Sequence, residues 1–202
     1  MATAPEERRL TRKGQLVRDR IVDAATELIA RNGVAGTNTD QVRQLAGVSG
    51  SQLYHYFDSK QALIRAVITR QADAVSGPPE IGALDSLDAL QAWADAAVAR
   101  QREQDGLGTC DLGTLAGELG VRDEESRAEI SQGFLRWKQV LYDGLHAMQQ
   151  RGDLRPSADI DELAYALLAA LQGGALLSQT LRDTKPLEAS LNAALAHVRS
   201  FV

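Results

Sequence analysis

The sequence predicts an all-α chain of about nine helices, and three features carry that prediction. Ala and Leu are abundant while aromatic residues make up only 4%, a balance that favours helices over sheets. Apolar residues recur at spacings of three and four along most of the chain, the period of a helix with one buried face. Between these stretches stand helix signals: Thr, Asn, Ser or Asp at the starts, Gly or Pro at the ends. No segment alternates as a strand would, and no repeat or low-complexity tract interrupts the pattern. The division expected is a three-helix domain at residues 1–59, ordered from about residue 11, and a second helical domain at 60–202.

Residues 1–10 are polar, and Arg8, Arg9, Arg12 and Lys13 form a basic lead-in. Thr11 is the expected cap of a first helix ending near Asn32-Gly33, with Val17, Ile21, Ala24, Ala25, Leu28 and Ile29 on its apolar face. Asn38 caps the second helix, and Gln41 stands three residues on as a capping-box partner. Val42, Leu45 and Ala46 are expected on its inner face. Gly47 can take the positive φ of a sharp turn. Ser49 then caps a third helix of about Gly50 to Tyr56, with Leu53 and Phe57 inward.

Two short helices at a steep angle make a helix-turn-helix, whose second helix fits the major groove of DNA. On that helix Ser51, Gln52, Tyr54, His55 and Tyr56 face outward or sideways. Gln52 can pair bidentately with adenine and is the first choice for reading a base. Gly50 and Ser51 allow close backbone approach. His55 is either a half-buried support or a base reader.

A fourth helix follows from Lys60 to about Val75 and stops at Gly77-Pro78-Pro79. Asp85 or Ser86 caps the next, Leu87 to about Gln104, with Leu90, Trp93 and Ala97 on one face. A Gly-rich loop then leads to a short helix at about 112–119. Asp123 begins a long helix ending at Arg151-Gly152, through Ile130, Phe134, Trp137, Leu141, Leu145 and Met148. Ser157 or Asp159 starts another, to about Thr180, and Pro186 opens the last.

Charge is divided. Residues 1–70 carry 11 Lys/Arg against 7 Asp/Glu, whereas the rest carries 11 against 20. Positive charge therefore sits with the helix-turn-helix, where phosphate attraction needs it. One Cys excludes an internal disulfide and fits a reducing cytoplasm, the expected location. No apolar run is expected to reach the roughly 20 residues of a membrane span, and the first residues lack a signal peptide's apolar core.

The string Gly33, Thr37-Asn38, Ala46-Gly47-Val48-Ser49, Leu53-Tyr54, Tyr56-Phe57 and Ser59-Lys60 resembles the amino-terminal pattern of the TetR/AcrR family of transcriptional repressors. The resemblance runs from about Thr11 to Val75. Arg43 departs from it where a small Ala is usual, and Ser51 where Gly is common. A shorter string, Cys110-x-Leu112-Gly113-x-Leu115-Ala116-x-Glu118, resembles the LmrA/YxaF-type branch. The resemblance implies a homodimer paired through its last two helices, a palindromic double-stranded DNA operator and a small-molecule effector. By the same resemblance Tyr54, Tyr56 and Lys60 touch phosphate, sugar or thymine methyls, and Thr37 donates to a phosphate. The DNA-facing set is Thr37, Asn38, Arg43, Ser49, Gly50, Ser51, Gln52, Tyr54, His55, Tyr56 and Lys60.

By the same resemblance, the helices of the second domain are expected to enclose an apolar pocket. Its candidate lining is Trp93, Cys110, Leu112, Phe134, Trp137, Leu141, Tyr142, Tyr165, Gln172 and Leu176, with His146 nearby. Trp93 and Trp137 could equally fill the core, and Cys110 could be a small buried hydrophobe. The composition of this set favours an apolar, neutral and planar effector over a phosphate or metal.

Enzyme signatures fail on inspection. Gly47-Val48-Ser49-Gly50-Ser51 breaks G-x-S-x-G at its last position. Gly106 to Gly113 breaks G-x-G-x-x-G at Asp111. The three His, at 55, 146 and 197, are too scattered for a zinc pair. No cofactor, metal or catalytic residue is expected.

Overall fold

The computed structural model describes residues 10–75, 83–103, 111–120 and 123–202. Among these residues it contains nine α-helices and no strand: α1 Arg12–Gly36, α2 Thr39–Ala46, α3 Gly50–Tyr56, α4 Lys60–Val75, α5 Leu87–Glu103, α6 Asp111–Leu119, α7 Glu124–Arg151, α8 Ile160–Leu181 and α9 Lys185–Arg199. The chain forms two compact units, one through Arg70 and one from Gln71, so that α4 contributes to both.

In the first unit the caps do what their chemistry suggests. The Thr11 hydroxyl accepts from the Gly14 amide at 3.1 Å. Asn38 and Gln41 form a reciprocal capping box, each backbone amide donating to the other's side chain. The expected stop at Gly33 is realised as a kink. Its φ of 73° and ψ of 170° leave the helical region, and a further turn carries α1 on to Gly36. That combination is open essentially to glycine alone. Ile21, Val22, Ala25, Val42, Ala46, Leu53, Phe57, Val67 and Ile68 make up most of this unit's core. Leu45 does not join them: it is 48% exposed, because α2 is only two turns long and Val42 and Ala46 define its inner face. Arg70 ties α4 to α1 through Asp19 at 2.9 Å and Asp23 at 2.5 Å.

In the second unit α8 runs between α7 and α9, and its core joins α5, α7, α8 and α9 through Leu90, Trp93, Leu141, Leu145, Leu167 and Leu191. Ser86 rather than Asp85 caps α5, accepting from Ala89 at 3.1 Å; Asp85 instead pairs with Arg151. Asp159 rather than Ser157 caps α8, accepting from Glu162 at 3.1 Å. Helices α8 and α9 touch closely at Gly174, where an added Cβ would stand 2.8 Å from the Leu187 Cα. The Leu187 amide donates to the buried Ser178 hydroxyl at 3.1 Å beside it. Gly174→Ala is therefore expected to destabilise this unit by about 1–3 kcal/mol through overpacking, read as a lower urea midpoint.

One sequence expectation needs correcting. Helix α8, at 22 residues and with a mean hydropathy of 1.3 over its most apolar window, is long and apolar enough to cross a membrane by length and composition. Its apolarity has a local cause, since Leu163, Ala164, Leu167, Leu168, Leu171 and Ala175 all pack inside the unit. What remains outside is Tyr165, at 48% exposed, and towards the end of the helix Leu176, Leu177 and Leu181, at 62%, 53% and 63%.

Candidate functional site

Two surfaces carry the functional chemistry, one in each unit. In the first, α2 and α3 meet at Gly47, whose φ of 63° and ψ of 41° make the left-handed turn between them. The Val48 amide closes the turn on the Arg43 carbonyl at 3.1 Å. Ser49 caps α3, its hydroxyl accepting from the Gln52 amide at 3.2 Å. Gln52 replies: its side-chain oxygen accepts from the Ser49 amide at 2.9 Å. This second capping box engages Gln52, the first choice for reading a base. A bidentate pair with adenine needs both the oxygen and the nitrogen of the amide, and here the oxygen is already engaged. The sequence hides this, because Ser49-x-x-Gln52 is at once a cap signature and a reading pattern.

The other DNA-facing candidates divide by exposure. Ser51 is exposed and lies 3.0 Å from the Ser49 hydroxyl. Tyr54 is 58% exposed. His55 is exposed rather than half-buried, with its ring edge-on to Tyr56 at 5.0 Å. Tyr56 is the half-buried member of that pair. Thr37 is buried, 4% exposed, and its hydroxyl donates to the Gly33 carbonyl at 2.8 Å. It serves the α1 kink, and the expected phosphate donor is not presented to solvent. Asn38 is exposed but spends its side chain on the α2 cap. The Lys60 ammonium donates to the Val34 carbonyl at 2.9 Å, which leaves two of its three N–H donors for other partners.

Arg43 occupies an unexpected place. Its Nε lies 3.4 Å from the Asp40 carboxylate, and its Cδ is 3.9 Å from where a Cβ on Gly50 would stand. Its stem thus crosses from α2 to the first turn of α3, over a position that carries no side chain, with the guanidinium at the edge. The extra bulk at a position expected to be small is accommodated by lying on the surface, and α2 keeps its packing.

The second surface is a pocket open to solvent, with Leu176 62% and Tyr165 48% exposed on its wall. A cavity of about 650 Å³ lies between α6, α7 and α8, within the range of small-molecule sites. Of the expected lining residues, Phe134, Tyr165, Gln172 and Leu176 line it. Trp93, at 4% exposed, and Leu141, fully buried, belong to the core instead. Leu112 is also fully buried. Its side chain would be 2.9 Å from a Cβ on Gly133, which Ala72 of α4 approaches to 2.8 Å. Trp137 and Tyr142 pack at the core's margin. Cys110 lies outside the described residues.

Residues not anticipated include Gly113, Thr114, Gly117 and Glu118 of α6 and Ala169, Gly173 and Gln179 of α8. A signal existed on α8: Tyr165, Ala169, Gln172, Leu176 and Gln179 recur at helical spacing as a mixed stripe opposite the Leu-rich core face. Behind Tyr165 the Lys138 ammonium lies 5.1 Å from its ring and 4.9 Å from that of Tyr142. Lys138 is paired with Asp161, whose hydrogen bond raises its pKa above the ordinary lysine value. A smaller cavity of about 390 Å³ shares Phe134, Tyr165 and Leu168 and reaches Arg127, which is engaged by Glu124. Among the described residues, no group of three His, Cys, Asp or Glu side chains is placed to hold a metal ion.

Comparison with known proteins bears on both surfaces. A family model described as "Bacterial regulatory proteins, tetR family" matches residues 21–67, and "Tetracyclin repressor-like, C-terminal domain" matches residues 86–194. The HTH-type transcriptional repressor DhaR of Mycobacterium sp. strain GP1 is 25% identical over 176 residues, 85% of this chain and 87% of that protein. The HTH-type transcriptional regulator LmrA of Bacillus subtilis is 26% identical over 179 residues, 84% and 90% respectively. A TetR regulatory protein structure from Rhodobacter sphaeroides superposes with a TM-score of 0.79 at 22% identity, covering 90% of this chain and 98% of that one, which shows likeness of fold.

Proposed function

Since the chain belongs to the TetR family of DNA-binding transcriptional regulators, we propose that it is a homodimeric repressor of a palindromic operator, released by a small apolar effector. The observation that carries this reading is the doubly capped α2–turn–α3 unit. It fixes a short helix whose outward residues Ser51, Tyr54 and His55 are exposed, with Arg43 and Lys60 at its borders. Backbone contacts from Lys60 and the tyrosines would position the helix, and base-edge contacts would specify the sequence. The repressor role follows DhaR, which carries that name. An activator using the same contacts is the second reading.

The reading domain is taken as residues 1–59 and the effector and dimerisation domain as 60–202, with α4 as the element they share. The dimer would form through α8 and α9, where Leu177 and Leu181 of α8 and the small Ala189 and Ala193 of α9 are exposed. The location would be the cytoplasm, where operator DNA is found.

Release follows from linkage. An effector that prefers a conformation with wrongly spaced reading helices must weaken DNA binding, and DNA must weaken effector binding by the same factor. A coupling of about 1–3 kcal/mol gives roughly 5–150-fold derepression. A contiguous route for it exists within the second unit: α6 walls the cavity, and its Leu112 meets Ala72 of α4 over Gly133.

Operator selected from random duplexes, titrated with and without bound ligand, tests the reading. A ligand that lowers affinity supports a repressor; one that raises it supports the activator. Failure to bind any duplex at low salt would remove both. Lys60→Ala should weaken all duplexes alike and lower the salt slope by about one unit, measured across a salt titration. Loss confined to the operator would contradict a phosphate role.

A further inference from the structure

We propose that the α6–α7–α8 cavity selects an uncharged, mostly apolar molecule bearing one hydrogen-bond acceptor, which is met by the side-chain amide of Gln172. The proposal rests on the reading of this unit as the effector-binding unit. Three observations support it. First, Gln172 lines the cavity, and its amide nitrogen is shielded from solvent with no hydrogen-bond partner. A buried, unbonded N–H is costly, and rotation of this terminal amide is soft. Once that amide turns towards the cavity, a carbonyl or ether oxygen there would give the donor the bond it lacks.

Second, the charges are wrong for an anion. Among the described residues lining this cavity there is no Lys, Arg or His, and the acidic Glu118 is one of them. An anion taken into the cavity would meet no counter-charge among the described lining residues. Among the described residues, the cations Lys138 and Arg127 of α7 are already committed, to Asp161 and Glu124. Third, apart from Thr114, Glu118 and Gln179, the rest of the lining, with Phe134, Tyr165, Leu168 and Leu176, is apolar and aromatic, suited to a flat ring system.

The test uses three compounds of one size on the full chain: 2-acetylnaphthalene, 2-ethylnaphthalene and 2-naphthoate, titrated calorimetrically. The expected order is ketone, then hydrocarbon by about 3–10-fold weaker, the range set by one neutral hydrogen bond, with naphthoate weakest. In Gln172→Leu the ketone should lose its advantage while the hydrocarbon still binds, and the free variant should melt at a higher temperature because the unbonded amide is gone. Ala169→Trp, which fills the cavity from α8, should abolish binding of both. Naphthoate binding as well as the ketone, an undiminished ketone preference in Gln172→Leu, or no binding of any of the three would overturn the proposal. Operator binding is followed in the same samples. Ketone binding that leaves the operator bound would sink the effector reading alone; loss of the Gln172 dependence would sink the cavity chemistry alone.

Discussion

Charging the exposed stripe of α8, with Leu177→Arg and Leu181→Arg together, should give a monomer that binds the selected operator at least about a thousandfold more weakly. The size follows from what one subunit can read. A single reading helix sees one half-site, and losing its partner takes binding towards the non-specific level, which lies about 10³–10⁷-fold below specific affinity. Both leucines are more than half exposed, and they stand one turn apart, so the substitutions add like charges to one face. Buried neighbours such as Leu171, Ala175 and Ser178 face the unit's own core, so the monomer should keep its helical signal and its cavity. Light scattering checks the mass, and an anisotropy titration checks the affinity. A variant that stays dimeric with unchanged operator affinity would move the interface elsewhere.

Arg43→Ala should relax sequence preference by about 1–3 kcal/mol if its guanidinium makes a bidentate base contact, whereas Gln52→Ala should not. Gln52 holds the Ser49 amide in the capping box, and removing a cap interaction weakens a helix by about 0.5–2 kcal/mol. Its loss is expected to weaken operator and random duplex alike. Arg43 has only a long, exposed contact with Asp40 to give up, its side chain being 36% exposed, and surface pairs of that kind are worth little. Selection of binding sites from random duplexes by each variant separates the two roles. A relaxed preference in Gln52→Ala with an unaltered one in Arg43→Ala would restore the bidentate assignment to Gln52 and require the box to open on DNA.

These two residues mark where the sequence was readable and where it was not. Thr11, Asn38, Ser49 and Asp159 act as caps, and Gly33, Gly47 and Gly152 as turns or stops, because each effect involves residues at most a few positions apart. The apolar stripe of α7 was legible for the same reason. Leu45 was not: a two-turn helix shows too little period to tell its rim from its inner face. Gln52 was ambiguous because one residue type suits two partners, a cap and a base, and the fold shows the cap. The cavity failed in part because it depends on how α6 lies on α7 and α8. Trp93 and Leu141 looked like walls by chemistry, yet the packing of α5 and α7 places them in the core, while Gly113, Gly117 and Gly173 gained a role only by proximity. Close approach likewise made Gly174 an intrachain contact with α9, so the small residues of α8 serve its own unit before any partner.

The most direct measurement of a paired reader is the stoichiometry and symmetry of the DNA that the intact chain selects. Duplexes recovered from a random pool should carry an inverted repeat with half-site centres one helical turn apart, about 10–10.5 base pairs or a multiple, and each should bind chains in multiples of two. A single unrepeated site occupied by one chain would contradict the proposal.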